Sequence, residues 1–197
     1  MLPTLRYLTT APVIAVWLVC VLGLVSQDDR AFVESQIRKW QEVVARNPKD
    51  VDALTAIGAG YGKLGEHATA VTYFNKAIAI NPSFAGAYAG LGSAYGFLGR
   101  PAEAIAALKK AVSLDPRDAF GRLKLGTALG KAGRYPEAIT ELREAVRLKT
   151  DLADAHFALG VAYVSIRDRV NARNEVDALS PIDSRQAAQL QAIIDHM

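Results

Sequence analysis

The chain has 197 residues, enough for one domain and a tail but too few for two full enzyme domains. Formal net charge is only +3, with both signs interspersed and no polybasic run of the kind that tracks phosphates, so nucleic acid is not an expected partner. One cysteine, Cys20, excludes an intramolecular disulfide and a cysteine-based metal site.

The first segment reads as membrane-targeting. Arg6 is the only charge before Asp28, and the stretch 8–25 carries none. Its length is at the lower edge of a spanning helix, about 20 residues. A retained signal anchor over residues 1–27 is the favoured reading. A cleavable secretory signal also fits, because Gly23 and Ser26 are small, although no Ala-x-Ala triplet is present. A buried core helix fits least, since the run is apolar on every face and no repeat precedes it. Arg6 before the span, with Asp28 and Asp29 after it, points the rest of the chain away from the cytoplasm.

Residues 28–50 come next. Val33, Ile37, Trp40 and Val44 form a helical stripe there, ending before Pro48. From residue 51 the chain repeats itself every 34 residues. Gly58, Gly92, Gly126 and Gly160 recur at that period, as do Ala70, Ala104, Ala138 and Ala172. Phe74, Leu108, Leu142 and Val176 recur as large apolar residues. Gly65, Gly99 and Gly133 recur, and Arg167 breaks their series. Within each unit, apolar residues at helical spacing predict two helices: 51–64 and 67–80, 85–98 and 101–114, 119–132 and 135–148, 153–166 and 169–179. The glycine at the end of each first helix suits a left-handed cap, and Pro101 and Pro136 suit the first turn of a second helix. Ser180 to Asp183 reads as a capping box opening a last helix to about Ile194, polar on the face of Gln186, Gln189 and Gln191.

This register resembles the tetratricopeptide-repeat family, over residues 51–180 and a half repeat before them. The resemblance implies an all-α fold, a right-handed superhelical α-solenoid of helix-turn-helix units, here with an N-terminal transmembrane helix. Its units are 51–84, 85–118, 119–152 and a degenerate 153–180, followed by a capping helix in 181–197. The half repeat lies in 28–50, where Trp40 stands 34 residues before Phe74.

No catalytic constellation is expected. The histidines are His67, His156 and His196, and none has a carboxylate or second histidine at metal-ligand spacing on its own helix face. His156 occupies the slot that Leu54 and Tyr88 fill in earlier units, which suits a packed ring. Neither a phosphate-binding loop nor a nucleophile elbow is present, and no cofactor or metal is expected.

In the family, the first helix of each unit lines a concave groove. By resemblance, the groove candidates here are Ala59, Lys63, Ser93, Phe97, Phe120, Leu123, Lys124, Thr127, Lys131 and Phe157. The clamp for chaperone carboxyl-terminal tails needs Lys and Asn at set positions, and this chain has Thr55, Ala59 and Gly90 there, so that use is not expected. A groove of small and apolar residues with a few lysines suits an amphipathic helix or an apolar segment. Contact with the next helix, or a C-terminal helix folded across them, would use the same residues.

The expected function is a membrane-anchored scaffold on the extracytoplasmic side of a bacterial-type inner membrane, assembling or stabilising a membrane or envelope complex. A constitutive subunit of such a complex is the alternative, or a secreted or periplasmic adaptor if the N-terminus is cleaved.

Overall fold

A computed structural model of the chain describes residues 27–196. The apolar stretch 8–25, and with it the expected anchor, lies outside the described residues. Among those described, no helix is long and apolar enough to cross a membrane.

The described residues form ten α-helices and no strand. α1 spans Gln27–Arg46. Four pairs follow: α2 Val51–Lys63 with α3 His67–Ile80, α4 Ala85–Phe97 with α5 Pro101–Leu114, α6 Ala119–Lys131 with α7 Tyr135–Leu148, and α8 Ala153–Ser165 with α9 Arg169–Leu179. α10, Ser184–Asp195, closes the array. The ends of the paired helices fall within one residue of the predicted ones, because the signals that stop and start them are local. Gly65, Gly99 and Gly133 take φ of 81°, 69° and 74°, a conformation that costs a residue with a Cβ about 1–2 kcal/mol. Arg167 is held in it too, at φ 61°.

Each helix packs on its neighbours in sequence. The recurring glycine explains how closely. A Cβ at Gly58 would stand 2.9 Å from the Phe74 ring, and one at Gly92 would stand 2.5 Å from Leu108 Cγ and 3.0 Å from the Ala104 carbonyl oxygen. Gly126 meets Leu142 in the same way at 2.5 Å. In the fourth unit the register changes hands. Gly160 is filled not by Val176 of its own pair but by Leu190 of α10, at 2.3 Å from the Cβ position. Leu190, Ile194 and Ala187 are buried, so α10 is an integral part of the core beside α8 and α9 as well as a polar cap.

Two details differ from the sequence reading. The cap of α10 is Asp183, whose carboxylate accepts from the backbone N–H of Arg185 and Gln186, while Ser180 closes α9. The acceptor must precede the helix directly, which Asp183 does and Ser180 does not. In the half repeat, Trp40 is 39% exposed where Phe74 is 4%, since no described helix stands in front of α1 to enclose it.

Candidate functional site

The first helices of the pairs, α2, α4, α6 and α8, approach one another in succession. No such approach joins α3 to α5, α5 to α7 or α7 to α9. Packing one layer closer than the other curves the array, and the layer of first helices is its inner, concave face.

Two cavities lie along that face. One, of about 630 Å³, is lined from α2 by Ala59, Gly62 and Lys63, from α3 by His67 and Phe74, and from α4 by Gly90, Ser93 and Phe97, with Arg30 of α1 at its edge. The other, of about 430 Å³, is lined by Ser93, Gly96 and Phe97 of α4, by Leu123, Lys124, Thr127 and Lys131 of α6, and by Asp154 and Phe157 of α8. Ser93 and Phe97 belong to both. The two cavities are therefore neighbouring parts of one groove that crosses from the first unit to the fourth.

Of the ten groove candidates, Ala59, Lys63, Ser93, Phe97, Leu123, Lys124, Thr127, Lys131 and Phe157 line this groove. Phe120 does not line either cavity. It is 50% exposed in the first turn of α6, and the Lys149 ammonium sits 4.8 Å from its ring centroid. The C-terminal helix does not cross the groove. No α10 residue lines either cavity, and its one polar contact there is Gln186 Nε2 donating to Asp154 at 2.9 Å.

Phe97 is the most prominent side chain of the site. It ends α4, remains 74% exposed, and stacks face to face on His67 at 4.5 Å and 4°. An aromatic ring left that exposed, between two cavities and supported from behind, can take an apolar group at little ordering cost. The floor beside it is smooth. A Cβ at Gly62 or Gly96 would meet nothing within 4 Å. Thr55 Oγ1 and His67 Nδ1 are buried without a hydrogen-bond partner among the described residues, and His67 lines the groove. The sequence places His67 only in a turn, because its stacking partner lies on a different helix.

A second polar feature escapes the sequence reading. His156 is 6% exposed, and both ring nitrogens are engaged: Nδ1 stands 2.7 Å from Glu175 Oε2, and Nε2 stands 3.0 Å from the Thr150 carbonyl. A carbonyl only accepts, so Nε2 carries a hydrogen. One unit earlier, Arg122 Nη1 donates to Glu141 at 2.7 Å while its Nε donates to the Pro116 carbonyl at 2.9 Å. The two pairs share one register, each spanning 19 residues. In the first two units Leu54 with Tyr73 and Tyr88 with Ala107 hold those places. The signal that would have found the pair is this offset, read across units and not along one helix face. Among the described residues, no group of three or more His, Cys, Asp or Glu side chains is placed to hold a metal ion.

Elsewhere the electrostatics belong to the turns. Hydrogen bonds from Arg100, Arg134 and Arg147 hold the Glu103, Glu137 and Glu144 carboxylates below their usual range. Asn171 does the same for Asp168 at the start of α9, through its side chain at 2.6 Å and its backbone N–H at 3.1 Å. Burial raises the Tyr163 phenol. None of these groups lines the groove.

Comparison with known proteins agrees with this geometry. The family model described as tetratricopeptide repeat matches residues 51–84 and 85–118, and the one described as TPR repeat matches 129–166. No curated protein matches the chain in sequence. Among solved structures, MamA superposes with a TM-score of 0.67 at 24% identity, over 82% of this chain and 88% of that one. A thermophilic TPR protein of Thermus thermophilus gives 0.68 at 22%, over 83% and 89%. A chain of the APC/C hetero-tetramer Cut9–Hcn1 gives 0.72 at 21%, over 83% of this chain and 33% of that one. Identities this low speak to the fold alone. With the repeat matched over more than half of the 197 residues and its paired helices in place, the chain belongs to the tetratricopeptide-repeat family.

Proposed function

We propose that this protein is a scaffold that holds a segment of another protein in the groove of its first helices, and that it does so at a membrane. The observation that carries the first part is Phe97: 74% exposed, shared by two adjoining cavities, and backed by His67. Apolar lining with few fixed polar groups suits an amphipathic helix better than an extended charged tail. Thr55, Ala59 and Gly90 provide no carboxylate clamp.

The membrane part rests on the uncharged stretch 8–25 and on Arg6 before it, which would leave the repeats on the extracytoplasmic side. There the scaffold would assemble or stabilise a membrane or envelope complex.

The test is affinity purification of the full chain from detergent-solubilised membranes of its own cells, as wild type and as Gly96→Leu. The wild type is expected to retain one defined set of proteins that the variant loses. Recovery of the same set by both would sink the groove reading. Carbonate extraction and mass spectrometry of the mature N-terminus test the anchor separately. A membrane-retained chain still carrying residues 8–25 is expected; a carbonate-soluble chain beginning beyond Gly23 would refute it.

A further inference from the structure

The groove is not electrically neutral, and its charges are arranged. Successive first helices end on one rim, at positions one repeat apart: α2 on Lys63, α4 on Phe97, α6 on Lys131 and α8 on Ser165. That rim therefore reads cation, aromatic, cation, hydroxyl. The opposite rim, at the helix starts, reads Asp52, Gly86, Phe120, Asp154 in the same register. Lysine at a helix C-terminus also complements the helix dipole, so the rim alone decides nothing. Lys124 decides more. It stands in the middle of α6, where the dipole makes no demand, and it lines the same cavity as Lys131.

Nothing among the described residues neutralises these three ammonium groups. Among the described residues Lys63, Lys124 and Lys131 form no ion pair and lie over no ring. By contrast Arg30, at the edge of the first cavity, already faces Glu34 at 3.0 Å and Glu66 at 3.8 Å. Among the described residues a single carboxylate lines the groove, that of Asp154, which stands at the opposite rim and accepts from Gln186. What the groove offers a partner is thus apolar surface from Phe97, Leu123 and Phe157, flanked by three cations that no described residue pairs with.

We infer that the occupant of the groove is an amphipathic helix edged with carboxylates, its apolar face on Phe97, Leu123 and Phe157 and its acidic edge along the rim of Lys63 and Lys131, beside Lys124. This rests on the groove reading above and adds the partner's charge and its orientation. Unpaired cations beside an apolar strip attract an acidic partner from a distance and penalise a basic one at contact. The Asp52 and Asp154 rim confines the acidic edge to the other side.

The experiment uses the detergent-solubilised full chain and three Leu–Ala amphipathic peptides of identical apolar face, bearing Glu, Gln or Lys on the polar face, with binding read by fluorescence anisotropy. The Glu peptide is expected to bind about tenfold tighter than the Gln peptide, from three exposed pairs of modest strength each. The preference shrinks as salt rises. Lys63→Gln with Lys131→Gln removes most of it, and Lys63→Glu with Lys131→Glu reverses it toward the Lys peptide. Lys110→Glu, on the outer layer, leaves it unchanged. Circular dichroism of each variant reports whether the helices persist. Equal binding of all three peptides, or a Glu preference that survives charge reversal at 63 and 131, overturns the inference and leaves the groove reading standing. Failure of all three peptides to bind, or binding that Gly96→Leu does not weaken, overturns both.

Discussion

Gly92 and Gly96 lie one helical turn apart in α4, and the same substitution at the two positions has opposite consequences. At 96 an added Cβ meets nothing within 4 Å. Replacing glycine by alanine there removes backbone freedom from the unfolded chain, worth about 0.5–1 kcal/mol in a helix interior. Gly96 is the penultimate residue of α4, so the lower end applies, about 0.5 kcal/mol. At 92 the same Cβ stands 2.5 Å from Leu108 Cγ and 3.0 Å from the Ala104 carbonyl oxygen. The leucine can turn, but the carbonyl belongs to α5 and moves only if the helix moves. Overpacking of that kind costs about 1–3 kcal/mol and outweighs the gain in propensity. The two variants should differ by about 2 kcal/mol, which is about 4–8 °C in Tm for a chain of this size. Urea titration followed by circular dichroism measures it, with an unchanged slope required before midpoints are compared, since repeat arrays do not always unfold in one step. A Gly92→Ala protein as stable as Gly96→Ala would show that the helices of a pair are not held at glycine distance, and the account of the recurring glycine would fail.

Arg167 keeps a left-handed backbone where the earlier units have glycine, so Arg167→Gly should raise stability by about 0.5–1 kcal/mol, part of the relieved strain being offset by glycine's extra freedom when unfolded; a lower urea midpoint would contradict this. His156→Leu leaves Glu175 and the Thr150 carbonyl without their partner and should cost about 1–3 kcal/mol, while His156→Tyr combined with Glu175→Ala, the pair of the second unit, should recover most of it; equal losses in both proteins would remove the pair from the account. Acid should weaken the turns. Glu103, Glu137, Glu144 and Asp168 have carboxylates held below their ordinary values of 4.5 for Glu and 3.8 for Asp, so their contribution is complete above those values and is lost as pH falls through the lower folded ones. All four reach solvent at least in part, so the loss should be shallow and reduced by salt. A midpoint that stays flat from neutral pH to pH values below that range at low salt would show these bonds to be inert.

The groove shows how far side-chain register carries from sequence. Lys63, Phe97 and Lys131 are legible as one row because each is the same place in its unit, and a place in the unit fixes a face of a helix. Phe120 is equally legible as a groove position, yet its ring lies at the rim against Lys149. What the ring meets there is Lys149, the cap of the partner helix α7, a contact that only the packing of the pair creates. His67 and Phe97 come together for a similar reason: one begins α3 and the other ends α4, and only the stacking of pairs makes them neighbours.

By itself the sequence determined the all-α class, the bounds of the paired helices and the repeated close contact. Each of these is local or periodic: a glycine that accepts positive φ, a proline in a first turn, a small residue every 34 positions. Tertiary structure alone decided which side chains meet across helices. Leu190 fills the gap at Gly160, and Glu175 holds His156 in place. Tertiary structure also decided that the groove stays open. α10 buries Leu190 and Ile194 beside α8 and α9, and burying that apolar face leaves it none to lay across Phe97. Pattern fixes which face of a helix is apolar; only the packed neighbours decide what that face meets.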